Sequence, residues 1–333
     1  MTLTDAPSEP VADRARRTRV AVVGGGANVE HDVSLASAAA AAAALAPTHD
    51  VVPLTIGRDG AWSADGLALL VDEAVAVIAS CDVLLPAVHG PHGEDGTLAA
   101  LADVIGIACV GSGVGAGAIA MDKAVTKLVA AAEGVAVADG RVVRATGAAL
   151  DGVALPAVVK PVASGSSHGV RLVATREELD EAVATALTID ARVLVEEVVV
   201  GREVDVAVLR RADGTTVTSP PLEILHAGAV FDTTTKYDGS ARFVVPADLG
   251  DDEAQAIADA ALAVTDALGC DGVARVDFFL TADGPVLNEV NTMPGMTAHS
   301  QVPRMFAAAG TSYADLLADL VAGALARHRA AAP

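Results

Sequence analysis

The chain has 333 residues, 52% of them hydrophobic but only 2% aromatic, with a formal net charge of −21. That length exceeds one compact core and predicts two or three domains whose interiors are filled by Val, Leu, Ile and Ala. The charge excludes a broad basic surface for nucleic acid or an anionic membrane, and leaves small ligands held by a few local cations.

Residues 1–18, with Pro7, Pro10 and the Arg14-Ala-Arg-Arg17 cluster, precede the first apolar run without a signal-type core and read as a disordered tail. Beyond them, 19–23, 51–56, 81–88 and 107–110 read as strands, and 33–45 and 97–104 as helices. The alternation predicts an open α/β layer of mostly parallel strands over 19–111. Asp32 or Ser34 is expected to cap the first helix. Gly24-Gly-Gly26 follows the first strand, but Val29 stands where a dinucleotide fingerprint needs its third glycine. Glu30 then puts a carboxylate at a helix start on the carboxyl edge of the sheet, where it either meets a ligand or complements the helix dipole. His89-Gly-Pro-His92-Gly-Glu94-Asp95 lacks zinc-site spacing and reads as a substrate-contacting or structural loop. Residues 104–121 carry no charge and approach the length of a membrane span, but Gly106, Gly111, Gly113, Gly115 and Gly117 oppose a continuous helix and predict a strand followed by a glycine-rich loop. Cys81, Cys109 and Cys270 form no CxxC pair, which argues against a disulfide framework or cysteine zinc site and for a reducing cytoplasm.

A second unit is expected over 112–195 and a third over 196–333. Asp122-Lys123 opens a helix, 155–160 and 192–197 read as strands, and 177–187 as a helix. Lys160-Pro161 precedes Gly165-Ser-Ser-His-Gly169, whose hydroxyls and open amides can wrap phosphate, a surface turn being the alternative. No GxxxxGK[ST] run exists, so a nucleotide would bind without a P-loop. Lys123, Lys160 and Lys236 each adjoin a motif and could neutralise phosphate charge. Glu196 and Glu197, with Gly201-Arg-Glu203, suggest two strands hinged by glycine, their carboxylates facing a ribose and adenine edge or simply water. Phe231 and Tyr237 in a polar loop suggest a lid.

Strands at 204–209 and 216–223 and a helix at 251–268 lead to Arg275-Val-Asp277-Phe and Asn288-Glu289-Val-Asn291. Both segments alternate apolar and polar residues. A three-residue loop, Ala282-Asp283-Gly284, would set Asp277 opposite Glu289 and Arg275 opposite Asn291. Opposed carboxylates repel, and a divalent cation would reverse that penalty; oxygen ligands of this kind suit Mg2+ carried in with phosphates. A helix from 312 to 327 closes the chain, and no internal repeat is evident.

Taken in order, Glu30-His-Asp-Val-Ser, His89-Gly-Pro-His-Gly-Glu-Asp-Gly, Gly111-Ser-Gly, Met121-Asp-Lys123, Lys160-Pro, Gly165-Ser-Ser-His-Gly, Lys236-Tyr237, Arg275-Val-Asp277 and Glu289-Val-Asn-Thr-Met-Pro-Gly-Met-Thr closely resemble the D-alanine:D-alanine ligases, which are ATP-grasp enzymes. The resemblance runs from about residue 19 to the last helix. It implies an α/β and α+β fold of three-domain ATP-grasp architecture, with an N-terminal open parallel-sheet, Rossmann-like domain. Lys123, Lys160, Ser167, Glu196, Glu197, Val199, Glu203 and Lys236 would surround ATP, and Asp277, Glu289 and Asn291 would hold two Mg2+ ions, with Mn2+ as a substitute. Glu30, helped by His89, would hold the first D-alanine's ammonium. Arg275 and the Gly295 amide would stabilise the oxyanion, Ser300 and Gln301 would face the second carboxylate, and Ser166, Tyr237 and Glu30 would form a triad. A cytoplasmic homodimer serving peptidoglycan synthesis is implied. Tyr237 stands where D-alanine:D-lactate ligases carry histidine, Gln301 replaces the usual leucine, and Glu197 and Val198 replace a frequent lysine and an aromatic. A D-serine, D-lactate or other D-amino acid ligase is the near alternative; an oxidoreductase or a silent nucleotide-binding protein is the distant one.

Overall fold

The structure, a computed structural model, describes residues 16–225 and 242–331. Lys236, Tyr237 and Phe231, and with them the expected lid, lie outside the described residues. The first third contains β1 (Arg19–Gly25), α1 (His31–Leu45), β2 (Asp50–Ile56), β3 (Trp62–Ala64), β4 (Leu67–Leu69), α2 (Val71–Ala79), β5 (Val83–Pro86), α3 (Thr97–Ile105) and β6 (Ala108–Cys109). They build a six-stranded sheet of order β4-β3-β2-β1-β5-β6. The β1–β2, β1–β5 and β5–β6 pairings are parallel, as the alternation of elements predicts. Helices cover both faces: Val20 and Val22 pack with Ala38, Ala41 and Leu45 of α1, while Ala21 and Val23 pack with Ile78 of α2 and Leu98 of α3. A strand buried on both faces needs an unbroken apolar run, and β1 is Arg-Val-Ala-Val-Val-Gly-Gly.

The expected cap of α1 is not formed. Glu30 itself occupies the N-cap position without a side-chain cap, Ser34 Oγ donates to the Glu30 carbonyl, and Asp32 pairs with Arg58. The expected glycine-rich loop is also different: after β6 the chain enters α4 (Val114–Met121), which contains Gly115 and Gly117. A Cβ at Gly117 would lie 2.7 Å from the Glu94 carbonyl oxygen, so here glycine allows a helix to approach the 94–96 backbone.

Helix α5 (Lys123–Ala132) and β7 (Ala136–Val137) follow, then β8 (Gly140–Val143), β9 (Ala157–Pro161), β10 (Arg171–Val173), α6 (Arg176–Ala186) and β11 (Val193–Glu197). Strands β10-β9-β11-β8 form a four-stranded antiparallel sheet backed by α6 through Leu179, Ala182 and Val183. The last part comprises β12 (Arg202–Arg210), β13 (Thr216–Thr218), β14 (Leu222–Leu225), β15 (Arg242–Val244), α7 (Asp251–Ala267), β16 (Val273–Thr281), β17 (Gly284–Asn291), α8 (Gln301–Ala308) and α9 (Tyr313–Ala331). Its sheet runs β15-β14-β12-β16-β17-β7, with β13 paired to β12. Period-two alternation divides β12: Val204, Val206 and Val208 pack toward Ile257, Ala261 and Val264 of α7. Ala207 and Leu209 join a core with Val302 and Phe306 of α8, leaving Glu203 and Asp205 at the open end of that face. None of the described helices is long and apolar enough to cross a membrane.

Candidate active site

The hairpin pairing arises differently from the sequence expectation. Thr281 pairs with Gly284, so the turn has two residues rather than three, and the register shifts at Asp277/Phe278. Leu287 pairs with Phe278 and Glu289 with Asp277, so Asn288 is the extra residue of a bulge. The bulge recovers the expected oppositions of Asp277 with Glu289 and Arg275 with Asn291. It also lets Asn288 and Glu289, consecutive in sequence, both face the same cleft, while Leu287 remains fully buried. Asp205 lies opposite Asp277 on the other side, so three carboxylates stand side by side across β12, β16 and β17.

Cations offset this row. Arg275 Nε and Nη2 donate to the two oxygens of Asp277 at 2.6 and 2.7 Å, and Asp205 Oδ2 is 3.7 Å from Arg275 Nε. Burial would lower the Arg275 pKa, but Asp277, Asp205 and Glu289 together raise it. Asn291 Nδ2 donates to Asp277 Oδ2 at 3.1 Å, and Lys123 Nζ lies 3.1 Å from Glu289 Oε2. Among the described residues no group of three or more His, Cys, Asp or Glu is disposed to hold a metal. Asp277, Glu289 and Asn291 nevertheless supply only oxygen and amide donors, with the carboxylate side chains 12% and 17% exposed toward the cleft, which fits a hard cation shared with phosphate.

A cleft of about 1050 Å³, including space open to solvent, lies between the four-stranded and C-terminal sheets. Its walls bring together Lys123, Lys160, Ser167, Glu196, Glu197, Val199, Glu203, Asp277 and Glu289, all marked by the sequence except for their mutual arrangement. Glu196 is ion-paired with both Lys160 and Lys127. Burial would raise its carboxyl pKa, but the two lysines hold it below the usual range. Lys160 Nζ also donates to Asn288 Oδ1 across the cleft at 3.1 Å. The 164–169 loop carries Ser166 and Ser167 at φ of 50° and 54°, a left-handed conformation uncommon for serine and costing about 1–2 kcal/mol per residue.

A second cleft, of about 930 Å³, adjoins the first and shares Arg275, Glu289 and Gln301 with it. Glu30, His89, Ser166, Asn291, Gly295 and Ser300 line it. Ser166 Oγ donates to Glu30 Oε1 at 2.5 Å, joining the phosphate-type loop to the first sheet. Glu30 Oε2 is buried without a hydrogen-bond partner among the described residues. Gly90 and Gly165 enclose that oxygen: a Cβ on either would lie 2.4 or 2.3 Å from it. Gln301 Nε2 donates to Asp205 Oδ2 at 2.7 Å, and Ser300 Oγ accepts from the Thr297 amide at 3.1 Å.

His89 lines the second cleft beside Glu30, and its ring nitrogens are held by protein partners. Its Nδ1 meets the Met293 carbonyl oxygen at 2.8 Å and its Nε2 meets Ser37 Oγ at 2.7 Å. A carbonyl can only accept, so Nδ1 carries the proton and Nε2 accepts from serine. Burial lowers the His89 pKa, consistent with this neutral form, and both nitrogens are engaged. Glu94, read from sequence only as part of a loop, accepts from the Gly90 and Met293 amides at 2.7 and 3.1 Å. Burial, reinforced by Glu30, pushes its carboxyl up to about 8. Asp205, Lys127 and Asn288 were likewise not marked as site residues; their only sequence signal was a charged or amide residue in an otherwise apolar strand or helix.

Residues 140–322 match the family described as D-ala D-ala ligase C-terminus. The chain is 42% identical over 361 residues to the D-alanine–D-alanine ligase of Mycolicibacterium paratuberculosis, covering 94% of this chain and 98% of that one. It is 41% identical over 355 residues to the ligase of the same name from Nocardia farcinica, covering 93% and 98%. Among solved structures, the VanG D-Ala:D-Ser ligase of Enterococcus faecalis superposes with a TM-score of 0.83 at 32% identity, over 92% of this chain and 99% of that one. The ATP-complexed D-alanine–D-alanine ligase of Bacillus anthracis gives 0.80 at 28% identity, over 95% and 100%.

Proposed function

The chain belongs to the D-alanine:D-alanine ligase family, and from that premise we propose how its two adjoining clefts carry out ATP-dependent formation of D-alanyl-D-alanine, a peptidoglycan precursor. The single observation that carries the site assignment is that the clefts meet at Arg275 and Glu289, so a phosphoryl donor in one and a carboxylate in the other can touch.

The ATP phosphates lie along Lys123, Lys160 and the Ser166-Ser167 loop, with Glu196, Glu197, Val199 and Glu203 toward the base and ribose; the family resemblance adds Lys236, outside the described residues, to the set. Asp277, Glu289 and Asn291 would hold magnesium, which would supply positive charge to offset the negative charge of the phosphate oxygens. The first D-alanine places its ammonium against the unpaired oxygen of Glu30, while Ser166, bonded to the other oxygen, orients that carboxylate; the family resemblance adds Tyr237, outside the described residues, as the third member of a triad. The carboxylate of this D-alanine attacks the γ-phosphate in line, the bond to the β,γ-bridging oxygen breaks and ADP leaves, giving an acyl phosphate. The amine of the second D-alanine, deprotonated to be nucleophilic, attacks the acyl carbon and phosphate departs. Arg275 and the Gly295 amide stabilise the tetrahedral oxyanion, and Ser300 and Gln301 receive the second carboxylate. His89 positions the 293–296 loop through Met293 and Ser37 instead of contacting ammonium directly. The organisation into units 19–111, 112–195 and 196–333, a homodimer and a cytoplasmic location belong to the same proposal.

Purified protein with ATP, Mg2+ and D-alanine is expected to release phosphate and form the dipeptide. Absence of phosphate release with D-alanine, but turnover with D-serine, D-lactate or another D-acid, would overturn the substrate assignment. Loss of nucleotide affinity on chelation is expected, and binding indifferent to divalent ions would overturn the metal assignment.

A further inference from the structure

Lys127 is a buried cation that the reaction above does not use. It sits on α5 one helical turn after Lys123, so the two side chains share a helix face. They diverge from there. Lys123 reaches the C-terminal sheet at Glu289 and the carbonyl of Ser164, whereas Lys127 reaches the four-stranded sheet at Glu196. Lys127 is 7% exposed and lies behind Glu196, whose opposite oxygen takes Lys160. The charged groups acting on Lys127 are Glu196 on β11, Lys160 on β9 and Glu289 on β17; burial, with Lys160 next, lowers its pKa to about 8.

From this arrangement, and resting on the ligase reading, we infer that Lys127 is a positioning residue for the nucleotide phosphates: by occupying one oxygen of Glu196 from behind, it keeps Lys160 from closing into an isolated ion pair. With both lysines charged, the trio Lys127, Glu196 and Lys160 carries one net positive charge at the cleft wall. An ammonium has three donors, and Lys160 then spends one on Glu196 and one on Asn288, leaving one for a phosphate oxygen. Without Lys127, Glu196 and Lys160 cancel, and both carboxylate oxygens compete with phosphate for the same ammonium. Lys127 thereby acts on the nucleotide without touching it, and α5 links the two sheets that form the cleft.

The test first confirms ATP- and D-alanine-dependent phosphate release by the unaltered protein, which isolates this inference from failure of the ligase reading itself. Lys127→Met is then expected to raise KM for ATP and the calorimetric Kd for a non-hydrolysable ATP analogue about tenfold, the loss expected for one charge-assisted hydrogen bond. KM for D-alanine at saturating ATP should stay within about twofold of the unaltered protein on the same scale. Lys127→Arg, which keeps the charge, should recover most of the nucleotide affinity. An unchanged analogue Kd in Lys127→Met, an arginine variant no better than methionine, or a parallel rise of both KM values with a fall in melting temperature would overturn the inference. Should Lys127→Met fail to fold, Lys127→Gln replaces it with the same outcomes, and failure of both to fold would show a structural ion pair and overturn it as well.

Discussion

Replacing Gly165 by alanine tests the Glu30 subsite without touching a charged group. Gly165 has no positive φ, so its backbone admits alanine, yet the new Cβ would lie 2.3 Å from Glu30 Oε2 and 3.0 Å from its Cδ. Oε2 sits at the end of a side chain and can move, and that movement is the perturbation. Rotating the carboxylate away breaks its 2.5 Å bond with Ser166 and removes the buried oxygen that would receive ammonium. One hydrogen bond to a charged group contributes about 1.5–3 kcal/mol, equivalent to roughly 10- to 150-fold in affinity. The expected result is therefore a rise of that size in KM for the first D-alanine, with KM for ATP nearly unchanged. Folding stability should fall by no more than about 1 kcal/mol, because the collision is relieved at a flexible end. Steady-state kinetics with each substrate varied in turn, beside a urea melt, reads all three quantities. Gly90→Ala provides the contrast: its Cβ would lie 2.4 Å from the same oxygen, but at φ +70° the left-handed backbone adds about 1–2 kcal/mol of strain. A Gly165→Ala enzyme with wild-type KM for D-alanine would refute the placement of ammonium against Glu30.

Three further outcomes follow from separate parts of the molecule. Asp277→Asn should abolish most Mg2+-dependent turnover while leaving the melt cooperative, because the amide keeps the size and shape of the side chain but loses the charge and one of the two oxygens that accept from Arg275 and Asn291; full activity in a titration of Mg2+ would contradict it. Glu94 binds its proton more tightly when folded, with a pKa raised from 4.5 to about 8, so the folded state holds the proton through that window while the unfolded chain loses it. Its contribution to stability is thus greatest at low pH and declines as pH rises; relative to Glu94→Gln, the unaltered protein should lose stability from pH 5 toward about 9, and a pH-independent difference between their urea melts would refute the raised pKa. Phe278 is 1% exposed in the core beneath the site, so Phe278→Ala should cost roughly 3–5 kcal/mol by urea denaturation, and a loss below about 1 kcal/mol would mean that the core collapses around the vacancy.

The elements most legible in the sequence were those with an unambiguous period. Strands β1, β2 and β5 of the first sheet, β6 within the apolar run 107–110, α6 at Arg176–Ala186 against an expected 177–187, and α7 at Asp251–Ala267 against 251–268 all follow from apolar spacing, whereas the short β3 and β4 carry too few residues to show a period. The polar motifs were legible as a set because each is a charged or glycine-rich interruption in an alanine-rich chain. What could not be read was how distant segments meet. Lys127 resembles any helix-surface lysine until β11 places Glu196 against it, and Asp205 gains meaning only from its position beside Asp277. The 104–121 segment was misread because glycine lowers helix propensity locally, while close packing of Gly117 on the 94–96 backbone more than offsets that cost. The hairpin shows a third limit: the polar alternation predicted the right oppositions, but the turn is one residue shorter and the bulge at Asn288 makes up the difference.

That bulge has a mechanical consequence. An irregularity that removes a rung from the ladder also adds a side chain at the floor of the nucleotide cleft, and this side chain reaches Lys160 on the opposite sheet. A bond between a cation and a neutral amide therefore latches the two sheets directly. Unlike the neighbouring ion pairs, it leaves the charge of the lysine unneutralised. On the proposed reading the latch stays closed while the third donor of Lys160 takes a phosphate oxygen, so one lysine both braces the two walls and grips what lies between them.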